Sequence, residues 1–121
     1  MTRRRSILPG AAIAALGLAL AACGGGEPPP TIEVTATEFA FDPEMITVDA
    51  GQAFTLSFVN GGTIEHDFTI DELDISVLAP VTETVEEEIG PLEAGEYAVY
   101  CSIPGHREAG MNGTLRAEEP E

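Results

Sequence analysis

Gly95-Glu96-Tyr97-Ala98-Val99-Tyr100-Cys101 runs directly into Ser102-Ile103-Pro104-Gly105-His106-Arg107-Glu108-Ala109-Gly110-Met111. Gly95 to Cys101 is a good strand. The cysteine that ends it is followed by a histidine five residues on and a methionine ten residues on. A loop between two strands can fold those three side chains back onto one point. Pro104-Gly105 supplies the reversal just before His106, and Gly110 frees the backbone next to Met111.

Working outward, the same period-2 pattern recurs from Thr31 onward. Ile32, Val34 and Ala36 alternate with polar residues, and Phe39 and Phe41 follow. Met45, Ile46 and Val48 precede a turn at Asp49-Ala50-Gly51. Ala53 to Asn60 carries Phe54, Leu56 and Phe58 on one face. Gly61-Gly62 makes a tight turn into His66 to Ile70, where Phe68 and Ile70 follow the histidine at every second position. Ser76 to Pro80 reads as irregular. Thr82 to Ile89 is a poor strand loaded with Glu86, Glu87 and Glu88, best suited to a sheet edge, where charge blocks further pairing. Met111 to Ala117 closes the domain, and Met45 reads as core or as a contact beneath the site. No segment has a helical period. Short strands punctuated by glycine and proline predict an all-β, antiparallel Greek-key β-sandwich.

The N-terminus reads differently. Thr2-Arg3-Arg4-Arg5-Ser6 is a basic head, Ile7 to Leu20 is an apolar stretch, and Leu20-Ala21-Ala22-Cys23 resembles the lipobox of bacterial lipoproteins. An uncleaved anchor is the alternative, but a membrane span takes about 20 apolar residues and this stretch is shorter. The expected division is residues 1–22 as an export signal, 23–30 as a glycine- and proline-rich tether lipidated at Cys23, and 31–121 as the folded domain. Arg4-Arg5-Ser6-Ile7-Leu8 also resembles a twin-arginine signal, although arginines are common on ordinary secretory signals. The expectation is an exported protein, held through Cys23 on the cell membrane or outer membrane and facing the periplasm or exterior.

Lipidation at Cys23 leaves Cys101 without a disulfide partner, since the chain has two cysteines. An unpaired exported thiol needs a reason, and metal ligation is one, because a coordinated thiolate is held deprotonated and protected. Beyond the signal, Arg107 and Arg116 stand against all 21 acidic residues, a formal charge of −19. Such a surface is a poor match for nucleic acid or anionic lipid and favours a basic partner, unless it follows an organism-wide acidic bias.

His66, Cys101, His106 and Met111 supply two imidazoles, a thiolate and a thioether, the ligand set of a blue-copper electron-transfer site. Singly, each has a blander reading: a structural histidine, a core methionine, an inert buried thiol. Jointly, one site consumes both histidines and the one cysteine left beyond Cys23. Zinc accepts the same nitrogen and sulfur donors, but a thioether adds little for that ion.

From Thr31 to Glu118 the chain resembles the cupredoxin family. Phe39-Ala40-Phe41-Asp42-Pro43, His66-Asp67-Phe68 and Gly95 to Cys101 carry the resemblance. Family loops vary in length, and a histidine five after the cysteine with a methionine five further on is similar to those of auracyanin and rusticyanin. The resemblance implies one copper ion and a link from Asp67 to the loop beside Cys101, at Ser102. It also implies an electron path out through His106 at an apolar end of the sandwich, for which Ile64, Ile103, Pro104 and Ala109 are the flanking residues. The expected function is a monomeric, non-enzymatic shuttle of single electrons between redox proteins at the cell envelope. A copper carrier or store that delivers the ion to an oxidase is the alternative. Copper nitrite reductases and oxidases need more histidines than this chain has, and a binuclear copper centre needs a second loop cysteine.

Overall fold

Alternating apolar and polar side chains from Thr31 onward become nine strands in the computed structural model, which describes residues 27–121. In chain order these are β1 (Thr31–Thr37), β2 (Ala40–Asp42), β3 (Met45–Asp49), β4 (Phe54–Asn60), β5 (His66–Ile70), β6 (Ile75–Ala79), β7 (Thr84–Ile89), β8 (Gly95–Tyr100) and β9 (Asn112–Glu118). A single 3-10 turn, Asp71–Leu73, links β5 to β6. The export signal and lipidated Cys23 expected at the N-terminus lie outside the described residues. Of the expected tether, Pro30 is tied to the domain, its carbonyl accepting the Thr55 N–H at 2.8 Å.

The strands form two sheets, ordered β2-β1-β4-β7 and β3-β9-β8-β5-β6, so the molecule is an all-β sandwich. Val34 and Ala36 of β1, Phe54, Leu56 and Phe58 of β4, and Phe68 and Ile70 of β5 are buried, as their period-2 spacing requires. Phe41, Phe58 and Phe68 meet edge-on or tilted with ring centroids 5.9–6.3 Å apart, a favourable aromatic packing at the centre.

The sheets differ from the expectation in one respect. Each contains a parallel pair, β1 with β4 and β3 with β9, among otherwise antiparallel neighbours. Only a tight hairpin forces neighbours to run antiparallel. β1 and β4 are separated by β3, which crosses to the other sheet, so no hairpin constrains them. Ser76 to Pro80 reads from sequence as irregular, yet most of it lies in a full strand, Ile75–Ala79, paired along β5. Met45 is 51% exposed, on the outward face of an edge strand rather than in the core. The triple glutamate does lie on an edge strand, β7, as expected.

Candidate metal centre

Two hairpin-like turns and two strand ends bring the site together. Ile103-Pro104-Gly105-His106 is closed by the His106 N–H donating to the Ile103 carbonyl at 3.0 Å. Proline stands second, and glycine third with φ +85°, as a type II turn demands. From His106 the chain makes one more compact turn, and the Met111 N–H returns to the His106 carbonyl at 3.1 Å. The Met111 carbonyl then accepts the Cys101 N–H at 3.2 Å, which closes the loop at its base. The five-residue steps from Cys101 to His106 and on to Met111 are thus two turns stacked between β8 and β9.

His66 opens β5, the neighbour of β8. The two strands pair in register at Thr69 with Tyr100. Beyond that point the Asp67 N–H turns to the Cys101 sulfur, 3.4 Å away, instead of to a neighbouring carbonyl. One donor atom from each of His66, Cys101 and His106 lies within 4.8 Å of the others, and all three residues are buried. Cys101 Sγ and His106 Nδ1 are 3.4 Å apart. Met111 is fully buried, and its backbone bonds to both Cys101 and His106.

The remaining contacts orient these side chains. Asp67 Oδ1 accepts from the Ser102 N–H at 2.7 Å and from the Thr69 hydroxyl at 2.9 Å, and its other oxygen accepts from the Ser102 hydroxyl. The strap from Asp67 to Ser102 thus has the partners that the resemblance implies. Burial pushes the Cys101 thiol up, opposed by the backbone N–H groups of Asp67 and Ile103.

Two residues at the site were missed from sequence, Glu38 and Phe39, the two-residue tip of the β1–β2 hairpin. Glu38 Oε1 accepts from His66 Nε2 at 2.9 Å and from the Thr63 N–H at 2.8 Å. These two donors, His66 first, hold its carboxyl below the usual carboxylate range. The Phe39 ring stands edge-on to His106 at a centroid distance of 5.0 Å and is 39% exposed. Of the residues expected to flank the site, Ile64, Pro104 and Ala109 are exposed, and Ile103 is half-buried against the core.

A metal is compatible with this arrangement on the structure's own terms. With Nε2–H donating to Glu38, the lone pair of a neutral His66 falls on Nδ1. That atom is buried with no hydrogen-bond partner, alone in this among the described residues. Leaving such a group unsatisfied costs about 1–3 kcal/mol, and ligation removes the cost. Donors about 2.0–2.3 Å from a shared ion stand about 3.5–4 Å apart around a plane, so modest closure of the three donors suffices. The set of imidazole, imidazole, thiolate and thioether is soft and suits copper.

Among curated proteins, the chain is similar to the copper-resistant cuproprotein CopI of Rubrivivax gelatinosus, 29% identical over 108 residues. The match takes in 70% of this chain, and the chain spans only 64% of that relative's length. Among solved structures, a reduced auracyanin from Roseiflexus castenholzii superposes with a TM-score of 0.66 at 21% identity, covering 73% of this chain and 96% of that one. Auracyanin A, a "blue" copper protein from Chloroflexus aurantiacus, superposes with a TM-score of 0.64 at 27% identity, covering 75% of this chain and all of that one. The profile of the cupredoxin-like domain family matches residues 10–115. Sandwich topology, the His-Cys-His cluster and that match over most of the chain agree, and the protein belongs to the cupredoxin-like domain family.

Proposed function

We propose that this protein is a mononuclear blue (type 1) copper protein that carries single electrons between redox partners at the cell envelope. The observation that carries the reading is the buried, partnerless His66 Nδ1 in a cluster with Cys101 and His106. His66, Cys101, His106 and Met111 would hold one copper ion, which supplies a one-electron Cu(II)/Cu(I) couple. The chain's own part is to fix the donors. Main-chain bonds hold the loop, Asp67 ties Ser102 to β5, and Glu38 orients His66. A rigid donor set that suits both oxidation states has little to rearrange when an electron moves.

His106 is the least enclosed of the four, 7% exposed against complete burial for the others. The neighbouring Phe39, Pro104 and Ala109 are exposed and weakly polar, which suits brief encounters with a partner better than tight ones. The acidic surface favours a partner with basic docking residues. The reading extends to a monomer that is exported and held at a membrane by lipid on Cys23, and to a carrier rather than an enzyme, because four side chains on one ion leave no position for substrate.

The test is a spectrum of the copper-loaded domain beside that of Cys101→Ser. Intense blue absorption in the first and its loss in the second support the site, and colour retained by the variant excludes it. The resemblance to a copper-resistant cuproprotein favours a second reading, in which the protein sequesters or delivers copper. Fast copper loss to a chelator with slow electron self-exchange would select that reading, and the reverse would select the shuttle.

A further inference from the structure

The β1–β2 hairpin tip reaches both imidazoles of the site, with Glu38 on His66 and Phe39 against His106. Glu38 is 28 residues distant from His66 in the chain, yet its carboxylate is held from several sides. His66 Nε2 and the Thr63 N–H donate to Oε1 at 2.9 and 2.8 Å, and the Ile64 N–H donates more weakly at 3.3 Å. The segment offering those N–H groups is itself anchored by Asn60. The Asn60 side chain accepts from the Gly62 N–H at 2.9 Å and donates to the Ile64 and Ala79 carbonyls at 2.8 and 2.9 Å.

Gly62 is the residue that admits this arrangement. A Cβ there would stand 2.1 Å from Glu38 Oε1 and 3.0 Å from His66 Nε2. The close approach of Gly62 and the carboxylate therefore belong together.

Resting on the copper reading above, we propose that Glu38 is a positioning residue that fixes the His66 tautomer for ligation and biases the bound copper toward its oxidised state. A carboxylate on the far nitrogen of a ligating imidazole sets which nitrogen is free and raises its basicity. The bias follows from charge: a negative group beside a ligand stabilises Cu(II) more than Cu(I). Replacing the residue by glutamine keeps an oxygen acceptor for all three donors and removes the charge alone. Replacing it by alanine removes both.

The expected effect of Glu38→Gln is a shift of the Cu(II)/Cu(I) affinity ratio toward Cu(I) by about tenfold, within the usual range for such outer contacts. For a one-electron couple this raises the reduction potential by about 59 mV. Nitrogen-15 NMR of the metal-free protein gives a readout that needs no copper. It should show His66 protonated at Nε2 in the wild type and in Glu38→Gln, and a mixture of tautomers in Glu38→Ala. Metal-free wild type protonated at Nδ1 would overturn the proposal, as would a Glu38→Gln potential unchanged in a normally blue protein. A wild type that binds no copper would instead overturn the copper reading, and the tuning with it, while the tautomer result would stand on its own.

Discussion

The Ser102 N–H donates to Asp67 Oδ1 at 2.7 Å, so the residue after His66 grips the residue after Cys101. The same carboxylate also takes the hydroxyls of Ser102 and Thr69, and Thr69 is bonded to Ser76 of the edge strand at 3.0 Å. One buried side chain thereby ties β6, β5 and the metal loop together. Asp67→Ala would strand these donors. The expected cost is about 2–3 kcal/mol to the metal-free domain, read as a lower urea midpoint, with faster copper loss to a chelator. Asp67→Asn keeps one oxygen acceptor and should lose less than half as much. Equal midpoints for wild type and Asp67→Ala would contradict the strap.

Copper affinity should depend on pH through Cys101. Burial holds its thiol protonated to higher pH than usual, and the bound form is the thiolate. Protons compete with the ion below the raised thiol value, so affinity falls as pH falls. Competition titrations with a Cu(I) chelator should show an increase of about tenfold per pH unit from this group, levelling off only above the thiol value. A flat profile between about pH 6 and 8 would mean that Cys101 is not a ligand.

Gly105 serves the loop by conformation alone. Its φ is +85°, and a Cβ there would meet nothing within 4 Å. Gly105→Ala should cost about 1–2 kcal/mol, the ordinary price of the left-handed region for an L-residue. Thermal unfolding measures the loss, and it should appear without any change in the expected blue spectrum, since no side-chain contact is disturbed.

The β7 edge is guarded by charge. Val85 and Ile89 face inward on this strand, and Glu87 occupies the position between them, opposite Leu56 of β4. Glu87→Val would complete an apolar stripe on an edge that is unpaired among the described residues, where inward-pointing charge ordinarily prevents edge-to-edge association. Size-exclusion chromatography with light scattering should show concentration-dependent oligomers for the variant and a monomer for the wild type.

Much of the sandwich is legible in the sequence because burial on one face writes itself at every second residue, as in Phe54, Leu56 and Phe58. His66 to Ile70 coincides with β5 because Phe68 and Ile70 follow His66 at every second position, although the polar Asp67 and Thr69 between them are buried as well. Pairing direction is not written that way. The parallel partners of β1 and β3 follow from crossovers between sheets, which leave no local mark. Ile75–Ala79 was obscured because Ser76 and the following Pro80 break the apolar run, although Val77 and Ala79 are buried. Met45 misled because an apolar side chain on an edge strand costs little to leave exposed.

At the site, Cys101, His106 and Met111 are visible as a spaced loop motif, whereas Asp67 is reached only through the family resemblance. Glu38 is one acid among 21, and only the three-dimensional approach of the hairpin tip to His66 distinguishes it. Gly61-Gly62 was legible as a turn, but the reason Gly62 must lack a side chain is the same distant carboxylate. Phe39 belonged to a legible apolar pattern, and its contact with His106 was hidden by that same separation.

The most direct measurement is the optical and EPR spectrum of the wild-type domain after titration with copper and a cycle of reduction and reoxidation. The expected result is one ion per chain and an intense blue band that bleaches on reduction, returns on oxidation and is absent from Cys101→Ser. Colourless Cu(II) bound with the spectrum of a nitrogen- and oxygen-ligated tetragonal site would contradict it.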